Sequence, residues 1–358
     1  MIRHLTLPVL SAFGLIMLLI LLFFVFQGSG TSPQAENTLT VSRHGAWEIY
    51  FSNPGGPESK TLRGGPDSYL VEAMDSAQFS IDMAMYHLDL WSVREVLIRA
   101  HRRGIVVQVV TDDAYKEELE IRSLQEAGIN VMDDARPGIM HHKFIVIDRK
   151  EVWTGSMNMT VNGAYRNDDH LIRVLSDKVA ESYTHEFDEM FLEDRFGALS
   201  LADTPYPIVD LEGMEVEIYF SPDDGVLNRI IENLRTAERS VEILAYAFTT
   251  DTIGETLLDL HQSGVEVRGV VEASQAQAAG SETPRLRLAG VDIRLDGNPE
   301  NMHHKVIIID GVTVILGSYN FTRSAEEKND ENVLIFHDPA LAAQFLIEFD
   351  RIYGSATP

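Results

Sequence analysis

Residues 140–158 (MHHKFIVIDRKEVWTGSMN) and 302–320 (MHHKVIIIDGVTVILGSYN) repeat one pattern of reactive side chains 162 residues apart. The constant positions are His-x-Lys, four residues, Asp, six residues, then Gly-Ser-x-Asn. They are His141, Lys143, Asp148, Gly155, Ser156 and Asn158, and again His303, Lys305, Asp310, Gly317, Ser318 and Asn320. An imidazole, an ammonium, a hydroxyl and an amide gathered in one place suit a phosphodiester. The lysine brings full positive charge to the non-bridging oxygens, and Asn158, Asn320, Ser156 and Ser318 add oriented donors where charge grows. Histidine is left for nucleophilic or acid–base work. Each copy holds one such histidine, whereas displacement at phosphorus needs a nucleophile on one side and an acid on the other. Two copies facing each other across a pseudo-two-fold axis would supply both, so the repeat predicts one shared site rather than two.

Strand geometry sorts these residues further. Side chains alternate faces along HHKFIVID, so His141 and Lys143 point together while His142 points away, and His304 likewise in the second copy. His142 and His304 are therefore expected to tie neighbouring segments together. Asp148 and Asp310 have the opposite parity from the lysines and read as turn and scaffold residues. Asp310-Gly311 is a hairpin-type dipeptide, returning the chain so that Ser318 and Asn320 come beside His303 and Lys305. A working histidine also needs its second ring nitrogen held by an acceptor. Asp169, 28 residues after His141, and Glu331, 28 after His303, are the candidates.

The repeat extends well beyond the motif and defines the elements that must carry it. Residues 77–88 align with 237–248, 102–112 with 262–272, and 124–134 with 286–296. Each copy reads as a helix (67–77; 226–237), a strand (79–86; 241–248), a second helix (90–103; 252–263) and a continuous apolar strand ending at acidic residues. Such alternation favours a mixed or parallel sheet covered on both faces. The first unit spans 47–196 and the second 216–354, joined by a Pro-containing linker, 197–215. Asp112, Asp113 and Glu272 lie at strand ends and read as caps; Arg136, Arg166 and Arg323 flank the motif. Met140, Met157, Met159, Tyr319 and Phe321 suit either a substrate mouth or the core.

In these motifs and their spacing the chain resembles the phospholipase D superfamily, whose two-copy members carry this HKD motif in each half, and the similarity covers nearly everything from Trp47 to Tyr353. The resemblance implies an α/β fold of two tandem units, each a mixed sheet with helices on both faces. It also implies no metal or other cofactor, and a covalent phosphohistidine: His141 as nucleophile, His303 as general acid and base, with Lys143, Lys305, Asn158, Asn320, Asp169 and Glu331 completing the catalytic set. Residues 317–336 (GSYNFTRSAEEKNDENVLIF) are similar to small bacterial endonucleases of the superfamily and their mitochondrial cardiolipin-hydrolase relatives.

Composition narrows the partners. The chain has 358 residues, with 55 Asp+Glu against 29 Lys+Arg, a formal charge of −26 that disfavours broad attraction to nucleic acid or anionic lipid. It has no cysteine, which excludes disulfides and thiol chemistry. Residues 5–26 are uncharged, largely apolar and of membrane-spanning length, following Arg3 and His4. They predict a single-pass signal anchor over residues 1–26 and a flexible tether over 27–46, with the catalytic part extracytoplasmic; cleavage near residues 28–32 and secretion is the alternative. A phospholipid at a membrane is the expected substrate, hydrolysed to phosphatidic acid and an alcohol. Nucleic acid is the alternative, with phosphatidyl transfer and a non-catalytic scaffold behind it.

Overall fold

The computed structural model describes residues 41–358. The expected anchor, and the expected tether up to residue 40, lie outside the described residues. Among those described, no helix is long and apolar enough to cross a membrane. Val41–His44, expected within the tether, instead form an edge strand.

The first half builds β1 (Val41–His44), β2 (Trp47–Phe51), β3 (Ser80–Met85), β4 (Val106–Thr111), β5 (Asn130–Asp133), β6 (Lys143–Ile147), β7 (Glu151–Gly155) and β8 (His170–Leu175). The second builds β9 (Ile208–Leu211), β10 (Met214–Ser221), β11 (Ser240–Ala245), β12 (Glu266–Val271), β13 (Asp292–Leu295), β14 (Lys305–Ile309), β15 (Thr313–Gly317) and β16 (Glu331–His337). Each set forms one eight-stranded sheet, in the order β1-β2-β8-β7-β6-β3-β4-β5, and its copy β9-β10-β16-β15-β14-β11-β12-β13. Within each, the three strands at one side run parallel and the rest pair antiparallel, so the sheets are mixed as the repeat implied. Strand β9 takes up part of the stretch expected as linker, because Val209 and Leu211 alternate inward while Ile208 and Asp210 stay exposed.

Both faces of each sheet are buried, which is why β6 and β14 read as unbroken apolar runs. Phe144 and Val146 of β6 face a central layer with Val306 and Ile308 of β14. The long helices Asp177–Glu193 and Pro339–Ser355 complete this layer through Tyr183, Phe187, Phe345 and Phe349. The intervening Ile145 and Ile147 pack outward against Leu70 and Leu97 of the outer helices, as Ile307 and Ile309 do against Ile230 and Leu257. Each fully buried Leu, Ile or Phe contributes roughly 1.5–3 kcal/mol, and the central layer draws on both halves at once.

Two backbone devices aim the motif. Asp148 and Asp310 sit in the hairpin turns after β6 and β14 at φ 54° and 53°. Their carboxylates accept the backbone N–H groups of Gln78, Phe79 and Ser80, and of Glu238, Arg239 and Ser240, fastening each turn to the start of the neighbouring strand. Gly155 and Gly317 have φ of 145° and 151°, and an added Cβ would lie 2.4 Å from His170 O and 2.1 Å from Asn332 O. Glycine there lets β7 and β15 close on the segments that carry the acidic residues.

Candidate active site

The segment ahead of each histidine is held by the opposite half. His141 N donates to Asp330 O (3.0 Å) and Asp330 N to Ile139 O (3.1 Å); reciprocally, His303 N donates to Asp168 O (2.9 Å) and Asp168 N to Asn301 O (2.8 Å). The strand-end acids finish the job. Asp112 Oδ2 accepts from Met140 N at 3.1 Å and Glu272 Oε2 from Met302 N at 2.9 Å. Each also accepts from the N–H two residues further on.

Both histidines line one cleft of about 330 Å³, together with Tyr86, Tyr115, Asn158 and Tyr246. The equal offset of 28 residues would pair each carboxylate with the histidine of its own half, but the structure crosses them. His141 Nδ1 lies 2.7 Å from Glu331 Oε2, and His303 Nδ1 lies 2.9 Å from Asp169 Oδ1. Nε2 is thereby the ring nitrogen that each histidine offers to the cleft, and neither half-site is complete alone.

Lys143 and Lys305 are buried, each donating from Nζ to the carbonyl of its histidine (2.7 Å to His141 O; 2.6 Å to His303 O). They stand over the rings of Tyr86 and Tyr246, 5.2 and 4.8 Å from the centroids. Those tyrosines also meet His141 and His303 edge to face, at 4.8 Å in both cases. Neither tyrosine belongs to the repeated motif, although the two align with each other at the ends of repeated strands. That coincidence was the available signal.

Electrostatics differ between the two sides. Burial pushes both lysines down to about 7. Burial and the surrounding positive charges of Lys143, Lys305 and His303 push His141 well down. Burial and Lys305 also lower His303, but the Asp169 carboxylate opposes them. Burial raises Glu331 to about 7 against the pull of Lys143, while for Asp169 the opposing His303 and Lys305 outweigh burial and hold it at about 2.

The serines, expected to meet substrate, lie fully buried behind the carboxylates. Ser156 Oγ donates to Asp169 Oδ1 at 2.6 Å and Ser318 hydrogen-bonds Glu331. Strand parity puts them on the right face, but Gly155 and Gly317 let the acidic segments come between serine and cleft. Asn158 reaches the cleft wall; Asn320 is half-buried, and the Oδ1 of each is buried with no partner. His142 Nε2 meets Glu186 Oε1 at 3.0 Å and His304 Nε2 meets Glu348 Oε1 at 3.2 Å, tying the motif strands to the two central helices. Asp148, Asp310, Gly155 and Gly317 lie in the frame and do not line the cleft. Met140, Met157, Met159, Tyr319 and Phe321 are core residues.

Arg136 does not line the cleft: it binds Asp330 and donates from Nη1 to Lys328 O at 2.8 Å, clasping the other half. Arg323 pairs with Glu327 at 2.8 Å on the surface. Arg166 borders a separate cavity of about 400 Å³, shared with Asp168, Asn298 and Arg351, that is lined by neither His141 nor His303. Among the described residues, two groups have ligand-type atoms close enough for a cation, Glu215–Glu217–His337 and Asp112–Asp113–Asp134. Neither includes His141 or His303.

Comparison with known proteins agrees with this architecture. The family model described as "Cardiolipin synthase, PLD-like domain" matches twice, at residues 70–191 and 230–353. A mitochondrial cardiolipin hydrolase of Chlamydomonas reinhardtii is 39% identical over 127 residues, 36% of this chain and 57% of that protein. The match thus spans little more than half of that relative's length. A phospholipase D of Rickettsia prowazekii is 32% identical over 163 residues, covering 46% of this chain and 80% of the relative. Among solved structures, the phosphatidylserine synthase of Haemophilus influenzae superposes with a TM-score of 0.65 over 90% of each chain, at 16% identity, which speaks for the fold.

Proposed function

This chain belongs to the PLD-like domain family, and from that membership we propose that it is a metal-independent phosphodiesterase hydrolysing a phospholipid to phosphatidic acid and an alcohol. The observation that carries the reading is the crossed pairing of His141 with Glu331 and His303 with Asp169 at one cleft. Hydrolysis with one nucleophile and one acid needs two imidazoles of different duty facing one phosphorus.

In this mechanism His141, kept unprotonated by burial and the nearby positive charges, attacks phosphorus through Nε2. The phosphorus–oxygen bond to the headgroup breaks, and His303 Nε2–H gives its proton to the departing alkoxide. Water then enters; His303 takes its proton while the oxygen attacks phosphorus, the phosphorus–Nε2 bond breaks, and phosphatidic acid leaves. Lys143 and Lys305 neutralise the non-bridging oxygens throughout, with Asn158 and Asn320 as further donors. Ser156, Ser318, Asp169 and Glu331 position the imidazoles rather than touch substrate.

The names of the relatives, cardiolipin hydrolase and phospholipase D, support a lipid phosphodiester, and the formal charge of −26 disfavours long polyanions. We further propose that residues 5–26 anchor the protein in a membrane, with the cleft on the extracytoplasmic side. The direct test offers the full chain phosphatidylcholine, cardiolipin, single-stranded DNA and RNA side by side. Release of phosphatidic acid is expected, unaffected by chelator and reduced at least about a thousandfold in His141→Asn and in His303→Asn. Cleavage of nucleic acid alone would replace the lipid reading with an endonuclease, and substantial turnover in either variant would defeat the shared site.

A further inference from the structure

The pseudo-symmetry of the two half-sites fails at one buried position. His170 and Asn332 are equivalents, each directly following the carboxylate that holds the other half's histidine. Their backbone N–H groups behave alike, donating to Ser156 Oγ at 3.1 Å and Ser318 Oγ at 3.0 Å. Their side chains do not. Asn332 Nδ2 turns to Thr154 Oγ1 (2.8 Å) and the Tyr183 hydroxyl (3.2 Å). In the other copy the positions of Thr154 and Tyr183 are Leu316 and Phe345, which offer no acceptor. His170 instead stays by the serine, its Nδ1 3.1 Å from Ser156 Oγ and 2.9 Å from His304 Nδ1, with His304 continuing to Glu348 and Arg351.

The hydrogen count follows from burial. His170 Nε2 is fully buried and has no partner. An unpaired lone pair there costs less than an orphaned N–H, so the ring hydrogen sits on Nδ1. His170 Nδ1–H then makes one three-centre bond, to His304 Nδ1 at 2.9 Å and to Ser156 Oγ at 3.1 Å, while His304 carries its own hydrogen on Nε2 toward the Glu348 carboxylate. Ser156 Oγ now receives two donors from His170, the backbone N–H and Nδ1–H. Its own hydrogen has one destination, Asp169. Ser318 receives only the backbone donor.

We propose that His170 is a positioning residue that makes the half-sites unequal: it steers the Ser156 hydroxyl onto Asp169, fixes that carboxylate against His303 Nδ1, and so makes His303 the proton donor. The inference rests on the phosphodiesterase reading. On the opposite side Ser318 also hydrogen-bonds Glu331, but no ring N–H stands behind that serine, and burial raises the Glu331 carboxyl to about 7.

The test compares two lipids differing only in leaving group, dihexanoylphosphatidylcholine and dihexanoylphosphatidyl-p-nitrophenol. Choline departs as an alkoxide that needs a proton; p-nitrophenolate does not. In full-length His170→Asn, the ratio of choline to p-nitrophenol release should fall about tenfold relative to wild type. The triple variant H170N/L316T/F345Y, which rebuilds the polar surroundings of Asn332, should show the same fall, and it carries the test should the single variant fail to fold. Equal losses on both lipids, as a purely structural role would give, or no loss on either, overturn the proposal. A wild-type protein that cleaves neither lipid would instead refute the phospholipid reading, and this inference as tested on it.

Discussion

Two ammonium groups kept out of water dominate the site. Lys143 and Lys305 are at most 2% exposed, and burial is the first cause of their descent to about 7. A phosphate between them would restore what solvent no longer provides, so free enzyme and substrate complex should titrate differently. Since the protonated lysines are the forms that bind phosphate, kcat/KM should fall as pH rises through about 7, while kcat, reporting the complex, should fall later. A pH–rate profile with kcat/KM flat to about pH 9 would contradict this. Much at this scale was legible from residue types. Parity alone separated His141 from His142 and took Asp148 and Asp310 out of the chemistry. It could not assign the serines, because alternation gives a face and not a partner. Nor could it cross the carboxylates, since Asp169 and Glu331 sit at the same offset whichever half they serve.

Among the elements, the hairpin after each motif strand does most of the aiming. Asp310 accepts three backbone N–H groups at 2.7–2.9 Å, and burial of its carboxyl is outweighed by those bonds, which hold it below the usual carboxylate range. Asp310→Ala should therefore cost about 2 kcal/mol in urea unfolding, because the released donors lie near water, while turnover per folded molecule stays within about threefold. A large loss of turnover at unchanged stability would return Asp310 to the reaction. The Asp310-Gly311 turn could be read directly. Its counterpart could not, because Arg149 takes φ 55° where a glycine is usual. The edge strands β1 and β9 were also hidden. At four residues each, VSRH and IVDL are too short to show a strand period, and pairing with β2 and β10 makes them strands.

For the molecule as a whole, the repeat announces two units, but the structure makes them one folding body. Phe144 and Tyr183 of the first half and Val306 and Phe345 of the second share the central core. Across the junction, Arg136 holds Asp330 and Arg351 holds Asp168, directly beside the carboxylates that orient the histidines. No helix or strand occupies residues 200–207, and Leu201, Ala202 and Asp203 are exposed. The covalent connection should consequently be dispensable once the chain has folded. A protease site inserted between Ala202 and Asp203 should yield a nicked protein that elutes as one species and keeps activity within about twofold. In urea the fragments should part, and each alone should be inactive, because His141 without Glu331 and His303 without Asp169 lose the acceptors on Nδ1 that direct Nε2 to the cleft. Fragments that separate without denaturant, or one fragment that retains turnover, would show that the halves do not depend on each other. The crossed pairs argue that they do, since the active geometry is itself part of the interface.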